Sequence, residues 1–294
     1  TFNQDDLPYL TAELGGGVQV TKHRRPIATG TDIGSMSLTK LGSGVGLLGY
    51  YMYHGGSNPD GKLTTLQESR ESGYTNDLPE INYDFNAPIR QFGTISEPTV
   101  RLPACYFLQD FGGDLAVLPA DIDPEFVKPG DTHTLRMSIR HDDSHGYIFV
   151  NNYQRRLTMD AHKGVVLEGK TAGAPVVFPA TDIESGEYAF YPYNMKLGEH
   201  LLVSALATPL CKLTVDGENV YVFYGDKDPQ FTWGTTPAKV LMLTRKQALS
   251  AARVSLRSSE NQATQEYLIF SDNFVWEEDG KLTVVGGRKN GIRT

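Results

Sequence analysis

Cysteine is nearly absent: the 294 residues include two, Cys105 and Cys211. Two thiols are too few for a disulfide framework and stand at no metal-ligand spacing. Both are expected to be buried free thiols, the usual fate of unpaired cysteine. Long apolar runs are missing too. The stretch from Val45 to Met52 is interrupted by glycines and falls far short of the roughly 20 residues that cross a bilayer, so no membrane span is expected. Positive charge is in deficit, with 27 basic against 35 acidic residues for a net charge of −8, and the one basic run is Lys22-His23-Arg24-Arg25. That balance excludes nucleic acid as the main partner. No Gly-x-Ser-x-Gly elbow occurs, since Gly42-Ser43-Gly44 lacks the spacing, and neither cysteine stands in a nucleophile turn. The first residues, Thr1 to Asp6, have neither the basic region nor the apolar region of a secretory signal. No compartment follows from the sequence.

Turn formers and aromatics, by contrast, are plentiful, and their distribution divides the chain. Between Pro119 and Pro129 breaker residues collect. Residues 1–118 read as mixed α/β and residues 119–294 as nearly all β. Tyr9-Leu10-Thr11-Ala12 reads as a short buried strand that delivers Glu13 to its C-terminal end, followed by the Gly15-Gly16-Gly17 turn. Asp32 is placed to cap a helix with Ile33, Met36, Leu41, Val45 and Leu48 on its apolar side, after which Tyr50 to Tyr53 reads as a strand. A second helix is expected from Glu97 to about Phe111, capped by Ser96, with Phe107, Leu108 and Phe111 on one face and a kink at Pro103. Beyond the divide, short runs recur: 133–140, 147–151, 165–168, 176–178, 187–191, 201–207, 211–215, 219–224, 239–243, 253–257, 266–270 and 281–285. Such spacing predicts antiparallel β-sandwich domains. Asp216-Gly217 and Asp279-Gly280 are hairpin turns in this reading, and residues 243–252 have room for one short helix.

Polar and aromatic groups gather at the ends of the parallel-type strands, where the loops of an α/β barrel build an active site. One such end is Glu13 with its glycines, and another is Tyr51-Met52-Tyr53-His54-Gly55-Gly56-Ser57-Asn58. Tyr83-Asp84-Phe85-Asn86-Ala87-Pro88 follows. Sugars present apolar ring faces and many hydroxyls, so a carbohydrate site needs aromatic platforms together with carboxylates and amides. This loop set supplies both.

These two stretches resemble the Tyr-Met-Phe-x-Gly-Gly-Thr-Asn and Tyr-Asp-Tyr-Asp-Ala-Pro segments of the family 35 β-galactosidases, in the same order and at the same separation. The resemblance covers about Tyr9 to Gly113, and Phe149 to Arg156 is similar to part of the β-domain that follows the barrel in some members. It implies an α/β plus all-β fold: the C-terminal portion of a (β/α)8 TIM barrel with strands seven and eight, followed by antiparallel β-sandwich domains. It also implies that Glu13 is the nucleophile of a retaining exo-β-galactosidase, acting on β-galactoside-containing oligosaccharide or polysaccharide through a covalent glycosyl-enzyme, with no cofactor and no metal. Tyr51 would steady that carboxylate or the sugar, and Tyr83 and Phe85 would edge the galactose pocket. The chain departs from the family pattern in three places. Gly17-Val18 replaces a Gly-Trp pair, Phe85 replaces a tyrosine that contacts substrate, and Asn86 replaces an acid.

Retaining hydrolysis requires a second carboxyl about 5 to 5.5 Å from the first. In the family it is a Glu in an upstream Asn-Glu pair, and no such pair precedes Glu13. The chain is therefore expected to begin inside the barrel and to be inactive alone. Its partner would be the missing N-terminal barrel segment of the parent chain.

Blander roles are expected for other polar residues: a hydrogen-bonded structural role for His54, a hairpin loop for Arg140 to Gly146 despite its metal-ligand residue types, and structural salt bridges for Arg155 and Arg156. A second reading makes the chain a non-catalytic carbohydrate-binding or domain-packing module. That reading requires an exposed aromatic strip, for which Tyr188, Phe190, Tyr191 and Tyr193 are the candidates.

Overall fold

The computed structural model describes residues 7–17, 26–59, 61–62, 81–96, 103–115, 117–124, 126–257, 264–271 and 273–285. The basic run 22–25 and most of the segment before the second helix lie outside them. Strands account for 44% and helices for 12% of the chain, which makes the fold β-rich, with mainly antiparallel sheets.

The chain opens with β1 (Leu10–Leu14), α1 (Gly30–Gly42) and β2 (Leu47–Tyr50), and β1 and β2 pair in parallel with Leu10 opposite Leu47. This is the strand, helix, strand unit expected from the sequence, with three local corrections. Thr29, not Asp32, is the N-cap: its hydroxyl accepts from the Asp32 amide at 3.2 Å while the Asp32 carboxylate accepts from the Thr29 amide at 2.7 Å. This is the reciprocal capping box, which satisfies two amides that a helix start leaves unpaired. The helix ends at Gly42, because the positive φ of +99° at Gly44 breaks it, so Leu48 belongs to β2 and not to the helical stripe. Finally, β1 is not buried. Leu10 is 53% and Leu47 51% exposed, since the pair forms a sheet of two strands whose side chains no other sheet covers.

Two short strands follow, β3 (Gly56–Ser57) and β4 (Asn82–Tyr83), paired antiparallel, and then α2 (Pro103–Asp110). Pro103 is the first described residue of α2, and the kink expected from a helix starting at Glu97 lies outside the described residues. Next come β5 (Ala120–Asp123), β6 (Arg136–His141), β7 (Gly146–Asn151), β8 (His162–Val165), β9 (Glu168–Gly169), β10 (Val176–Val177) and β11 (Thr181–Ile183). They lead to β12 (Tyr188–Leu197), β13 (His200–Ala205), β14 (Thr208–Val215), β15 (Glu218–Tyr224), β16 (Phe231–Trp233) and β17 (Val240–Leu243). The last elements are α3 (Arg245–Ser250), β18 (Ala251–Arg257), β19 (Thr264–Phe270), β20 (Phe274–Glu278) and β21 (Lys281–Val285).

The central sheet runs β16-β13-β12-β7-β6-β5, and a smaller one runs β14-β15-β17. Alternation along β7 divides its side chains between two faces. Tyr147 and Phe149 pack under α1 and α2 with Leu38, Leu41, Phe107 and Phe190, while Ile148 joins Leu167, Phe178 and Tyr193 on the opposite side. Met195, Leu197 and Leu202 meet Tyr221 and Phe223 between the two sheets. The breaker-rich segment contains β5, whose pairing with β6 brings it into the central sheet. One pairing departs from the antiparallel expectation: β15 and β17 run parallel, with Tyr221 opposite Val240. Both expected hairpin turns are present. Asp216 and Gly217 have φ of 52° and 81°, and Asp279 and Gly280 have 52° and 75°, the two positive values that a type I′ turn needs. The short helix expected in 243–252 is α3, capped by Thr244.

Cys211 is buried, and burial pushes its thiol up to about 12. Cys105 is exposed, against expectation, because it stands on the solvent side of α2 while Phe107 two residues on points to the core.

Candidate active site

The ends of β1 and β2 are tied together by backbone. The Tyr51 amide donates to the Leu14 carbonyl at 2.8 Å, and the Gly16 amide donates to the Tyr51 carbonyl at 3.2 Å. These bonds place Tyr51 beside the end of β1, which carries Glu13 with its side chain exposed. Tyr83 arrives from the other direction, through the pairing of Gly56 with Tyr83. The Tyr51 and Tyr83 hydroxyls share a short hydrogen bond. Phe85 completes the group, its ring centroid 5.6 Å from that of Tyr51, edge-on, and 4.6 Å from that of Tyr83. The structure thus gathers Tyr51, Tyr83 and Phe85 into one aromatic cluster. The hydrogen bond to Tyr83, then burial, then the nearby Tyr83 and Glu13 charges push the Tyr51 phenol from 10.0 up to about 12. Glu13 therefore lies within electrostatic range of the cluster.

That arrangement gives a direct titration test. With Tyr83→Phe, the ionisation midpoint of Tyr51, followed by ring-carbon NMR on labelled tyrosine, should fall from about 12 toward the ordinary phenol value of about 10. A midpoint that stays put would mean that burial alone sets it.

Phe85 is held in an uncommon backbone conformation. Phe85 and Asn86 have φ of 56° and 53°, and the Ala87 amide donates to the Asp84 carbonyl at 3.0 Å, closing a type I′ turn. Left-handed backbone costs a side-chain-bearing residue about 1–2 kcal/mol. The turn persists because its neighbours over-determine it. The Asp84 carboxylate accepts from the Gln91 amide at 2.7 Å, from the Asn86 amide at 3.2 Å, and from the Arg90 guanidinium. These partners of Phe85 were not foreseen. Their signal was the Asn-x-Asp-x-Asn alternation at Asn82, Asp84 and Asn86, a pattern of side chains that bond backbone amides two residues on.

Gly17 lets this turn approach. A Cβ at Gly17 would meet the Phe85 carbonyl oxygen at well under 3.0 Å, and that atom is backbone and cannot swing away. Gly17→Ala is accordingly expected to cost about 1–3 kcal/mol of stability, read as a lower denaturant midpoint. An unchanged midpoint would show that the turn shifts freely.

The remaining sequence candidates resolve as follows. His54 is exposed, with a ring nitrogen against the Gly55 carbonyl oxygen. The loop after Arg140 joins β6 to β7 as a hairpin, in which the Asp142 carboxylate accepts from the Ser144 and His145 amides at 2.7 and 2.9 Å. His145 also faces Asp114 at 2.5 Å. Among the described residues no group of three or more His, Cys, Asp or Glu side chains is arranged to hold a metal. Arg155 pairs with Asp32 at 3.6 Å, and the Tyr153 hydroxyl donates to the same carboxylate at 2.6 Å, so this stretch anchors α1 to the central sheet.

The aromatic strip needed by a binding module is turned inward. Phe190 is 3% and Tyr193 0% exposed, while Tyr188 stacks under the Arg245 guanidinium at 4.7 Å. Two clefts, of about 760 and 630 Å³, lie on either side of Asp110 at the end of α2. The first is lined by charged pairs such as Arg253 and Glu266, the second by Phe111, His145 and Asn194. Neither is lined by the aromatic cluster, which is an open surface at the end of the parallel strands. No protein-family model matches the chain, and no curated protein matches it.

Proposed function

We propose that this chain carries the nucleophile side of a retaining β-galactosidase site, with Glu13 attacking the anomeric carbon of a terminal β-galactosyl residue. The observation that carries the reading is the cluster of Tyr51, Tyr83 and Phe85 beside the strand end that bears Glu13. An aromatic face next to a carboxylate is what a sugar needs, since the ring C–H groups stack while the anomeric carbon meets the nucleophile. Tyr51, whose phenol stays protonated to about 12, is a hydrogen-bond donor to the sugar or to Glu13 at any working pH. The proton for the leaving group comes from a second carboxyl outside this cluster, as the retaining mechanism requires.

The same proposal makes β1 and β2 strands of a (β/α)8 barrel. Their parallel pairing around α1 and the exposed Leu10 and Leu47 support it, because barrel strands are parallel and their apolar side chains are covered on both sides. The test is covalent trapping in the full-length polypeptide with a 2-deoxy-2-fluoro-β-galactosyl fluoride. Glu13 should carry the fluorosugar ester in peptide mass spectra. Label on another carboxylate, or none while hydrolysis proceeds, would overturn the assignment.

A further inference from the structure

We infer that Arg90 is a positioning residue for Phe85, and through it for the sugar-binding face; the second clause rests on the galactosidase reading, the first does not. One nitrogen of the Arg90 guanidinium, Nη1, bonds both the Asp84 carboxylate and the Asn86 side-chain oxygen, the latter at 2.6 Å. Those residues flank Phe85 in the left-handed turn, so a single donor clamps the turn on both sides of the ring it presents. The ends of the clamp are themselves fixed. The Asn86 amide nitrogen donates to the Pro26 carbonyl at 3.2 Å, and the Ile89 amide donates to the Tyr53 carbonyl at 3.0 Å, one residue ahead of Arg90. Arg90 and Asp84 are partly shielded, their side chains 33% and 19% exposed, so water competes weakly for the pair.

Without the clamp nothing on the turn's outer side opposes the return of Phe85 to right-handed backbone, which would carry its ring off Tyr51 and Tyr83. Asp84 would also become an uncompensated carboxylate next to the aromatic face. Because one nitrogen makes both bonds, a lysine ammonium has the donors to replace it. Methionine keeps the aliphatic length and removes them.

The experiment uses the full-length polypeptide with Arg90→Met, Arg90→Lys, Phe85→Ala and the double variant Arg90→Met/Phe85→Ala. Ring contacts between Phe85 and Tyr51 or Tyr83, seen as nuclear Overhauser effects, should disappear in Arg90→Met and return in Arg90→Lys. With a nitrophenyl β-galactoside, Arg90→Met should raise KM about 10-fold while kcat stays within about 3-fold, the signature of a lost binding wall. The double variant should match Phe85→Ala, because the arginine acts only through that ring. Persistence of the ring contacts in Arg90→Met, or additive effects in the double variant, would overturn the inference. If Arg90→Met does not fold, Arg90→Lys against Phe85→Ala decides: loss of the ring contacts in Arg90→Lys refutes replacement by a point charge. Activity that survives Glu13→Gln would reject the galactosidase reading alone, since the ring contacts are measured without turnover.

Discussion

Glu13→Gln in the full-length polypeptide is expected to lower turnover of a nitrophenyl β-galactoside by roughly 10⁴-fold or more, the scale on which removal of a covalent nucleophile acts. The amide matches the carboxylate in shape, so the strand end and its bonds to the Tyr51 loop are preserved. What is lost is the attacking oxygen and its charge beside a developing oxocarbenium ion. Glu13→Gly with azide provides the complementary result. Azide fills the space left by the side chain, attacks from the same face and should release α-galactosyl azide, because a single displacement inverts a β-linkage. Glu13 is solvent-exposed, so neither replacement is expected to unfold the chain. A Gln variant with near wild-type turnover would make Glu13 an ordinary strand-end carboxylate.

The candidate site was legible in outline because its residues sit at strand ends, where a short apolar run followed by glycines marks both the strand and its termination. What the sequence could not display was the geometry that joins those ends. The left-handed turn at Phe85 depends on Arg90 four residues beyond Asn86, and on a glycine 68 positions earlier in the chain at Gly17. Neither follows from local propensity. The two Asp-Gly hairpins were legible because a type I′ turn is a property of two adjacent residues. The β15–β17 pair was not, since its strands are joined through β16, which belongs to the other sheet. Capping shows the same division. Asp32 has a residue type that caps helices, but Thr29 three positions earlier completes the reciprocal pair, and only the start of the helix decides between them.

The most destabilising single change should lie away from the site, at Arg140, which sequence reading assigned to the edge of a hairpin loop. Its side chain is 1% exposed, and it donates five hydrogen bonds to carbonyl oxygens of Leu41, Val45, Leu115 and Leu118. Two of those carbonyls close the C-terminal end of α1, where unpaired carbonyls and the helix dipole both favour a cation. The others follow α2, in the segment leading to β5. One guanidinium from the central sheet therefore satisfies the polar ends of the elements laid over it, and the Phe107 and Phe149 core can close around them. Burial lowers the guanidinium to about 10, partly offset by the Asp114 charge, so it remains charged at neutral pH. Arg140→Met would remove the buried charge but orphan the carbonyls, at a cost of about 1–3 kcal/mol for each left unsatisfied. The net loss is expected at about 3–5 kcal/mol, the range for breaking a buried charged network. Arg140→Lys should recover part of it, since three donors on one atom cannot reach carbonyls spread around a planar fork. Urea unfolding measures both: the midpoint should fall with the slope unchanged. A shift below about 1 kcal/mol in Arg140→Met would mean that water enters and hydrates the helix ends, and that the seam between α1 and the central sheet rests on its apolar contacts alone.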